Sequence, residues 1–268
     1  MQTFEMDYAN LVRQILADGV TKETRNGKTK SLFGLSLIVD NIDLVFPIIQ
    51  GRKLHYKGVL GELAAMLRKP TCLKDFEDWG CNYWKLWGNE DGSIKVDYGN
   101  AWFDFEGVNQ IEQLKDSLRN NPNDRRMIIS GWRPHKIHEL NLPCCHYSYQ
   151  FYVRKNKLDM IWTQRSADMM VGLPSDIVFA AAWLIAIANE FNLVPGRIKF
   201  DLGDCHVYHE HNDNAYEYIY RVKTHPHMIA ATYKHDAVRG RDFCKFEPQE
   251  IKLNPHETLT PLKFKLKA

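Results

Sequence analysis

The sequence predicts an α+β chain. Apolar residues recur at helical spacing in some stretches and form short strand-like runs in others, and the two kinds do not alternate with a strict βαβ beat. Taken in order, Phe4, Tyr8, Leu11, Val12 and Ile15 share one helical face. Val59, Leu60, Leu63, Met66 and Leu67 make a second, and Ile111, Leu114 and Leu118 a third. Segment 176–191 is apolar almost all round, as in a helix buried on most sides. The runs MIISGW (127–132), HYSYQFYVRK (146–155), LDMIWTQ (158–164), RIKFDL (197–202) and HMIAATYK (227–234) read as strands. Residues 154–156 suggest a hairpin turn between the second and third of these. No repeat, low-complexity tract or Pro/Gly/Ser linker interrupts the chain, so 1–268 is read as one domain.

Composition narrows the function. A net charge of +2 argues against a general nucleic-acid coat and against a polybasic membrane protein, so no obligatory nucleic acid and no membrane are expected. The start, MQTFEMDYANLVRQ, has neither a basic nor an apolar leader region. The most apolar stretch, IVFAAAWLIAIA, falls short of the roughly 18 residues a bilayer requires and reads as a buried helix. Cys72, Cys81, Cys144, Cys145, Cys205 and Cys244 form no regular framework, so reduced thiols in the cytoplasm are expected.

Several chemistries fail on spacing. Gly27-Lys28-Thr29 lacks the earlier glycine of a phosphate-binding P-loop, because position 22 is Lys22. The paired motifs of a zinc deaminase are missing. Cys205, His206, His209 and His211 fit no zinc pattern and read as helix-entry and surface residues, so no metal is expected. Cys145-His146 stands where the loop NLPCC enters a strand, with Arg125, Arg126 and Arg165 able to supply the cations that turn a thiol into a nucleophile. Taken alone, the default for Cys145 is a buried structural thiol.

Its company changes that. PCCHYSYQFYV, QRSADMMVGLPSDI and GDCHVY follow one another in the order of a cysteine loop, an R-S-x-D segment, a G-L-P turn and a G-D-x-H-x-Y segment. RNGKTKSLFG, VLGELAAML, YWKLW, DYGNAW and NDRRMIISGW supply further blocks. Over most of its length the chain resembles the thymidylate synthase family. That resemblance implies the family fold, a mixed sheet flanked by helices and paired with its twin across a two-fold homodimer. It also implies 5,10-methylenetetrahydrofolate as co-substrate and a pyrimidine nucleotide as substrate.

The resemblance carries roles to particular positions. Cys145 is the thiolate that adds to carbon 6 of the ring; Cys144, standing between it and Pro143, is a substitute left open. Arg25, Arg165 and Ser166 hold the phosphate, with Arg125 and Arg126 reaching in from the partner subunit. An Arg-Arg pair taken alone is a solvated turn. Gln164 lies in the substrate site, and His206 and Tyr208 bond the sugar 3′-hydroxyl. Glu62 manages proton transfers and Tyr98 stands near the carbon-5 proton. The folate side is implied by His55, Trp84, Trp87, Leu142, Asp168 and Gly172, although tryptophan is also ordinary core.

Asp176 departs from the family pattern. Thymidylate synthases carry Asn there and read uracil through its O4 acceptor and N3–H donor. Cytosine reverses that edge, and a carboxyl group accepts from its amino group and, when protonated, donates to N3. Phage deoxycytidylate hydroxymethylases carry Asp at this place, so the swap implies dCMP; the expected location is the cytoplasm, that of the host if the source is viral. A competing local reading makes Ser175 or Asp176 a helix N-cap. The product depends on whether hydride or water reaches the one-carbon unit first, and hydride transfer demands a dry, closed site. The tail NPHETLTPLKFKLKA runs longer than the family's closing segment, Ser175 stands in place of a folate-contacting Phe, and Asp97 and Arg133-Pro134 follow the hydroxymethylase pattern. Together these imply deoxycytidylate 5-hydroxymethyltransferase. Thymidylate synthase acting on dUMP, a dCMP C5-methyltransferase and a catalytically idle nucleotide- or RNA-binding regulator are the alternatives.

Overall fold

A computed structural model describes residues 4–267. Helix α1 (Phe4–Asp18) leads into a hairpin of β1 (Val20–Thr24) and β2 (Gly27–Val39); α2 (Tyr56–Met66), α3 (Leu73–Glu77), α4 (Gly99–Phe103) and α5 (Gln110–Asn120) follow. Strands β3 (Ile128–Ser130), β4 (His146–Arg154) and β5 (Lys157–Asp168) precede α6 (Gly172–Glu190), β6 (Val194–Tyr208) and α7 (Asn212–Thr224). A two-stranded ribbon of β7 (Tyr233–His235) and β8 (Ile251–Leu253) comes last. The main sheet runs β1-β2-β6-β5-β4-β3. All its pairs are antiparallel except β5 with β6. That parallel pair needs a crossover, which α6 supplies. The mixed α+β character expected from the sequence is the observed one.

The core explains these elements. On α1, Tyr8, Val12 and Ile15 are fully buried. In α6 nearly every residue from Leu173 to Ala188 is buried, matching its all-round apolar sequence. Trp183 of α6 stacks on Trp102 of α4 with centroids 4.4 Å apart, and Tyr149 of β4 meets Trp183 edge-on at 5.0 Å. At 19 residues, α6 is long and apolar enough to cross a membrane by length and composition, longer than its apolar run suggested, but it is core. Buried Glu5 ties α1 to the loop before α2, accepting bonds from the Gln50 and Gly51 amides and from Tyr218 of α7.

Three expectations need correction. Helix α6 begins at Gly172 rather than 176, so Asp176 lies a turn inside it and caps nothing; the N-cap is Val171, without a side-chain bond. Asp168 instead gathers the backbone N–H groups of Met170 and Val171 before the helix. Of the run 227–234 only Tyr233 onward is strand, because nothing longer than three-residue β8 lies beside it; carbonyls of Ile229, Ala231 and Thr232 are taken by Gln50, Phe46 and Asn254 instead. The β1–β2 hairpin is the third difference, since residues 20–39 lie outside the runs whose composition predicts strand. The turn at 154–156 is found, with Arg154 paired to Lys157.

One face of the main sheet is covered by α1 and α6. Apolar Phe33, Ile38, Tyr152 and Ile161 of the sheet strands remain exposed.

Candidate active site

A cavity of about 420 Å³ opens where β5 and β6 end, beside the first turn of α6. Fifteen of the eighteen residues singled out from the sequence line it. Cys145 lines it from the loop entering β4, as do Gln164, Arg165 and Ser166 from β5. Asp168, Gly172 and Asp176 come from the β5–α6 connection and α6, and His206 and Tyr208 from the end of β6. Glu62, Trp84, Trp87, Tyr98 and Leu142 form another part of the wall, and Arg25 comes from the β1–β2 turn.

Close packing places Glu62 and Tyr98. A Cβ on Gly61 would stand 2.0 Å from the Trp79 carbonyl oxygen, so only glycine lets α2 approach the segment carrying Tyr83 and Trp84. A Cβ on Gly99 would stand 1.6 Å from the Met66 carbonyl oxygen, which presses the Tyr98 segment onto the end of α2. Glu62 then accepts the Trp84 indole N–H at 2.7 Å and the Tyr83 hydroxyl at 2.5 Å. Burial raises its pKa to about 7, with those two bonds partly offsetting. A carboxyl titrating near neutrality can give and take protons at working pH.

The two adjacent cysteines differ. Cys144 is 1 % exposed, lies outside the cavity wall and is pushed up to about 12 by burial. Cys145 faces the cavity, and its amide donates to the Tyr98 hydroxyl at 2.9 Å. Burial raises its thiol pKa while the Arg165 charge opposes that rise. Arg165 in turn braces the cysteine loop, donating to the carbonyls of Cys144 at 2.9 Å and Pro143 at 3.0 Å.

Asp176 sits in an ordered amide network. The Trp162 indole N–H donates to Gln164 Oε1 at 3.1 Å, which turns Gln164 Nε2 toward Asp176 Oδ2 at 2.8 Å. An indole N–H donates only, so the Gln164 amide has one orientation. Burial raises the Asp176 pKa to about 8, against the pull of the Gln164 bond. His146 Nε2 stands 3.9 Å from Asp176 Oδ1, and burial lowers its pKa to about 3. At neutral pH the two therefore face each other largely as uncharged acid and uncharged imidazole. His206 pairs with Asp204 at 3.1 Å; burial disfavours its charge, but that bond and charge outweigh it and raise the pKa.

Three expected residues lie elsewhere. His55 is exposed and lines an adjoining groove with Arg52 and Phe264, which shares Val171 and Ser175 with the main cavity. Arg125 and Arg126 lie exposed on the turn between α5 and β3, with Arg126 paired to Asp124 at 3.1 Å, and neither lines this chain's own cavity. Conversely, Tyr83, Asn26, His146, Leu266 and Lys267 line the cavity without having been given roles from the sequence. Tyr83 and His146 stood inside recognised blocks, next to Trp84 and Cys145, so adjacency was the available sign. Tail residues Leu266 and Lys267 arrive because the segment after β8 is pinned along α7, with Asn214 and Arg221 donating to its carbonyls and Lys267 paired to Glu210 at 2.8 Å.

The Cys/His patch also differs from expectation: Cys205 is fully buried on β6, His211 is 2 % exposed, and His206 faces the cavity. Among the described residues, no group of three or more His, Cys, Asp or Glu is arranged to hold a metal ion.

Similarity to known proteins accords with this geometry. The family profile described as "Thymidylate synthase" matches residues 6–268. A thymidylate synthase of Corynebacterium aurimucosum is 33 % identical over 262 residues, covering 95 % of this chain and 96 % of that one. A match of this extent, on a chain whose motif blocks converge on one cavity, makes the protein a member of the thymidylate synthase family.

Proposed function

We propose that the protein is a deoxycytidylate 5-hydroxymethyltransferase, its whole length forming one catalytic domain that works in the cytoplasm, of a host cell if its source is a phage. The family transfers one carbon to carbon 5 of a pyrimidine nucleotide, uses methylenetetrahydrofolate as co-substrate and is typically dimeric. The observation that carries the finer reading is Asp176: a shielded carboxyl on the same wall as Cys145, kept neutral near pH 7 and held by an amide that cannot flip. A neutral carboxyl both donates and accepts, which suits the N3 and amino group of cytosine.

The residues then divide the work. Cys145 adds its sulfur to carbon 6, and Arg165 beside it favours the thiolate. The resulting charge on the ring makes carbon 5 nucleophilic. Glu62 handles the proton transfers, and Tyr98, whose hydroxyl is fixed by the Cys145 amide, faces the carbon-5 proton. Arg25, Arg165 and Ser166 take the phosphate, His206 and Tyr208 the sugar. The sheet face bearing Phe33, Ile38, Tyr152 and Ile161 is the surface a second copy would cover, and Arg125 and Arg126 would then serve the neighbouring site.

The folate fits the remaining wall. Trp84 and Trp87 lie 5.4 Å apart at 60°, and the Trp87 indole N–H is buried without a hydrogen-bond partner among the described residues. Those rings with Leu142, Asp168 and Gly172 would hold the pterin, and His55 in the adjoining groove would meet its tail. When bound, the folate supplies the one-carbon unit. Lys267, which lines the cavity and is paired to Glu210, keeps the tail end polar and favours water at the final step.

The test is a product mass from dCMP with methylenetetrahydrofolate. A hydroxymethyl increment without dihydrofolate supports the reading. Thymidylate and dihydrofolate formed from dUMP would overturn it in favour of the second reading, thymidylate synthase, which the Corynebacterium relative and the retained Trp84 and Trp87 favour. Absence of carbon-5 tritium release from both nucleotides would favour a binding protein without turnover.

A further inference from the structure

Glu62 has two hydrogen-bond partners, and they are not equivalent. Trp84 donates its indole N–H to Oε1 at 2.7 Å; Tyr83, on the neighbouring residue of the same 3-10 turn, donates its hydroxyl to Oε2 at 2.5 Å and itself lines the cavity. An indole donates only, whereas a phenol rotates and either donates or accepts. While Glu62 is ionised, both partners satisfy it as they stand. Once Glu62 is protonated, its new O–H requires an acceptor in a shielded site, and of the two partners only Tyr83 can reverse its bond.

A third group completes the arrangement. Cys81, 1 % exposed, also hydrogen-bonds the Tyr83 side chain, and burial keeps its thiol neutral. When Tyr83 donates to Glu62 it accepts the S–H, and when it accepts from Glu62 it donates to sulfur. Every polar atom of the three keeps a partner in both states, and no net charge is created.

We propose that Tyr83 is a positioning residue that follows the Glu62 proton, reversing its hydrogen bond between Cys81 and Glu62 so that the carboxyl keeps one orientation whether ionised or neutral. The proposal rests on Glu62 as the acid–base group but not on which pyrimidine is the substrate.

The test compares wild type with Tyr83→Phe, which keeps the ring and removes only the reversible bond. The readout is the pH dependence of kcat with whichever nucleotide wild type turns over. A phenol bonds the ionised carboxylate more strongly than the neutral acid, so losing it raises the Glu62 pKa; the limb near neutrality should move alkaline by about one pH unit, and kcat at about pH 7 should fall about fivefold. The nucleotide KM should change by less than about twofold, since the bond touches proton handling and not binding. The midpoint of a pH profile does not depend on how much of a variant is folded. A Tyr83→Phe profile superimposable on wild type, with kcat unchanged, would overturn the proposal. Cys81→Ala should shift the limb in the same direction by less, and an unshifted profile there removes the sulfur from the relay. Full activity in Glu62→Gln would instead overturn the assignment of Glu62 on which the proposal stands.

Discussion

Replacing Asp176 with asparagine should exchange one base for the other. In wild type the Gln164 amide is held by Trp162, so its N–H points at Asp176 Oδ2 at 2.8 Å. In Asp176→Asn the side-chain oxygen must take that bond, which turns the amide NH2 into the cavity. A donor then faces the cytosine amino group, itself a donor, whereas uracil presents an acceptor at the same place. The Asp176 side chain is 18 % exposed, so little water reaches the mismatch to relieve it. Polar mismatches in such sites discriminate by on the order of ten-thousand-fold, about 5 kcal/mol in transition-state binding. The assay is kcat/KM for dCMP and for dUMP, wild type against variant, read by tritium release from carbon 5. The ratio of the two constants should move by that order toward dUMP. A variant that keeps the wild-type ratio would refute the argument that position 176 reads the base through a fixed amide.

Further outcomes follow from the same geometry. Iodoacetamide should label Cys145 before Cys144, and Cys144→Ser should keep most activity while Cys145→Ser loses it; equal labelling mapped by peptide mass would contradict the assignment. Mixing Cys145→Ser subunits with Arg126→Ala subunits should restore about a quarter of wild-type activity, because each heterodimer regains one complete shared site; no restoration would place Arg126 in its own chain's site. The raised carboxyls of Asp176 and Glu62, at about 8 and about 7, mean that the folded protein binds protons the unfolded chain has lost. Stability should therefore fall as pH rises from about 4 through those values, each group contributing on the order of 1 kcal/mol per pH unit at most. Asp176→Asn lacks one of these groups, so its thermal midpoint should gain on wild type between pH 5 and pH 8; a constant difference across that range would show that Asp176 is not held neutral.

Much of the fold was legible because its helices carry unbroken periodicity. The α6 helix, apolar on every side, could only be core, and the turn between β4 and β5 was marked by polar residues between two alternating runs. The β1–β2 hairpin carries Asn26-Gly27, a strong turn dipeptide, but all five residues of β1 are exposed, so no apolar alternation marks that strand. The false strand at 227–232 shows the converse: β-forming residues make no strand without a partner, and partners are a tertiary fact. In the site, residues whose chemistry depends on type, such as Cys145, Glu62 and Asp176, could be named in advance. Tyr83 and Lys267 could not, since a tyrosine beside two tryptophans and a lysine near a terminus acquire meaning only once α2 and the tail are folded over the same cavity.

The central claim is that Cys145 sulfur bonds to the pyrimidine ring, and trapping that bond tests it most directly. A 5-fluoro-dCMP has no carbon-5 proton to release, so with methylenetetrahydrofolate the adduct should accumulate. Intact-protein mass should rise by nucleotide plus folate, with the increment on the peptide containing Cys145. No increment with 5-fluoro-dCMP or its uracil counterpart, or an increment mapped to Cys144, would contradict it.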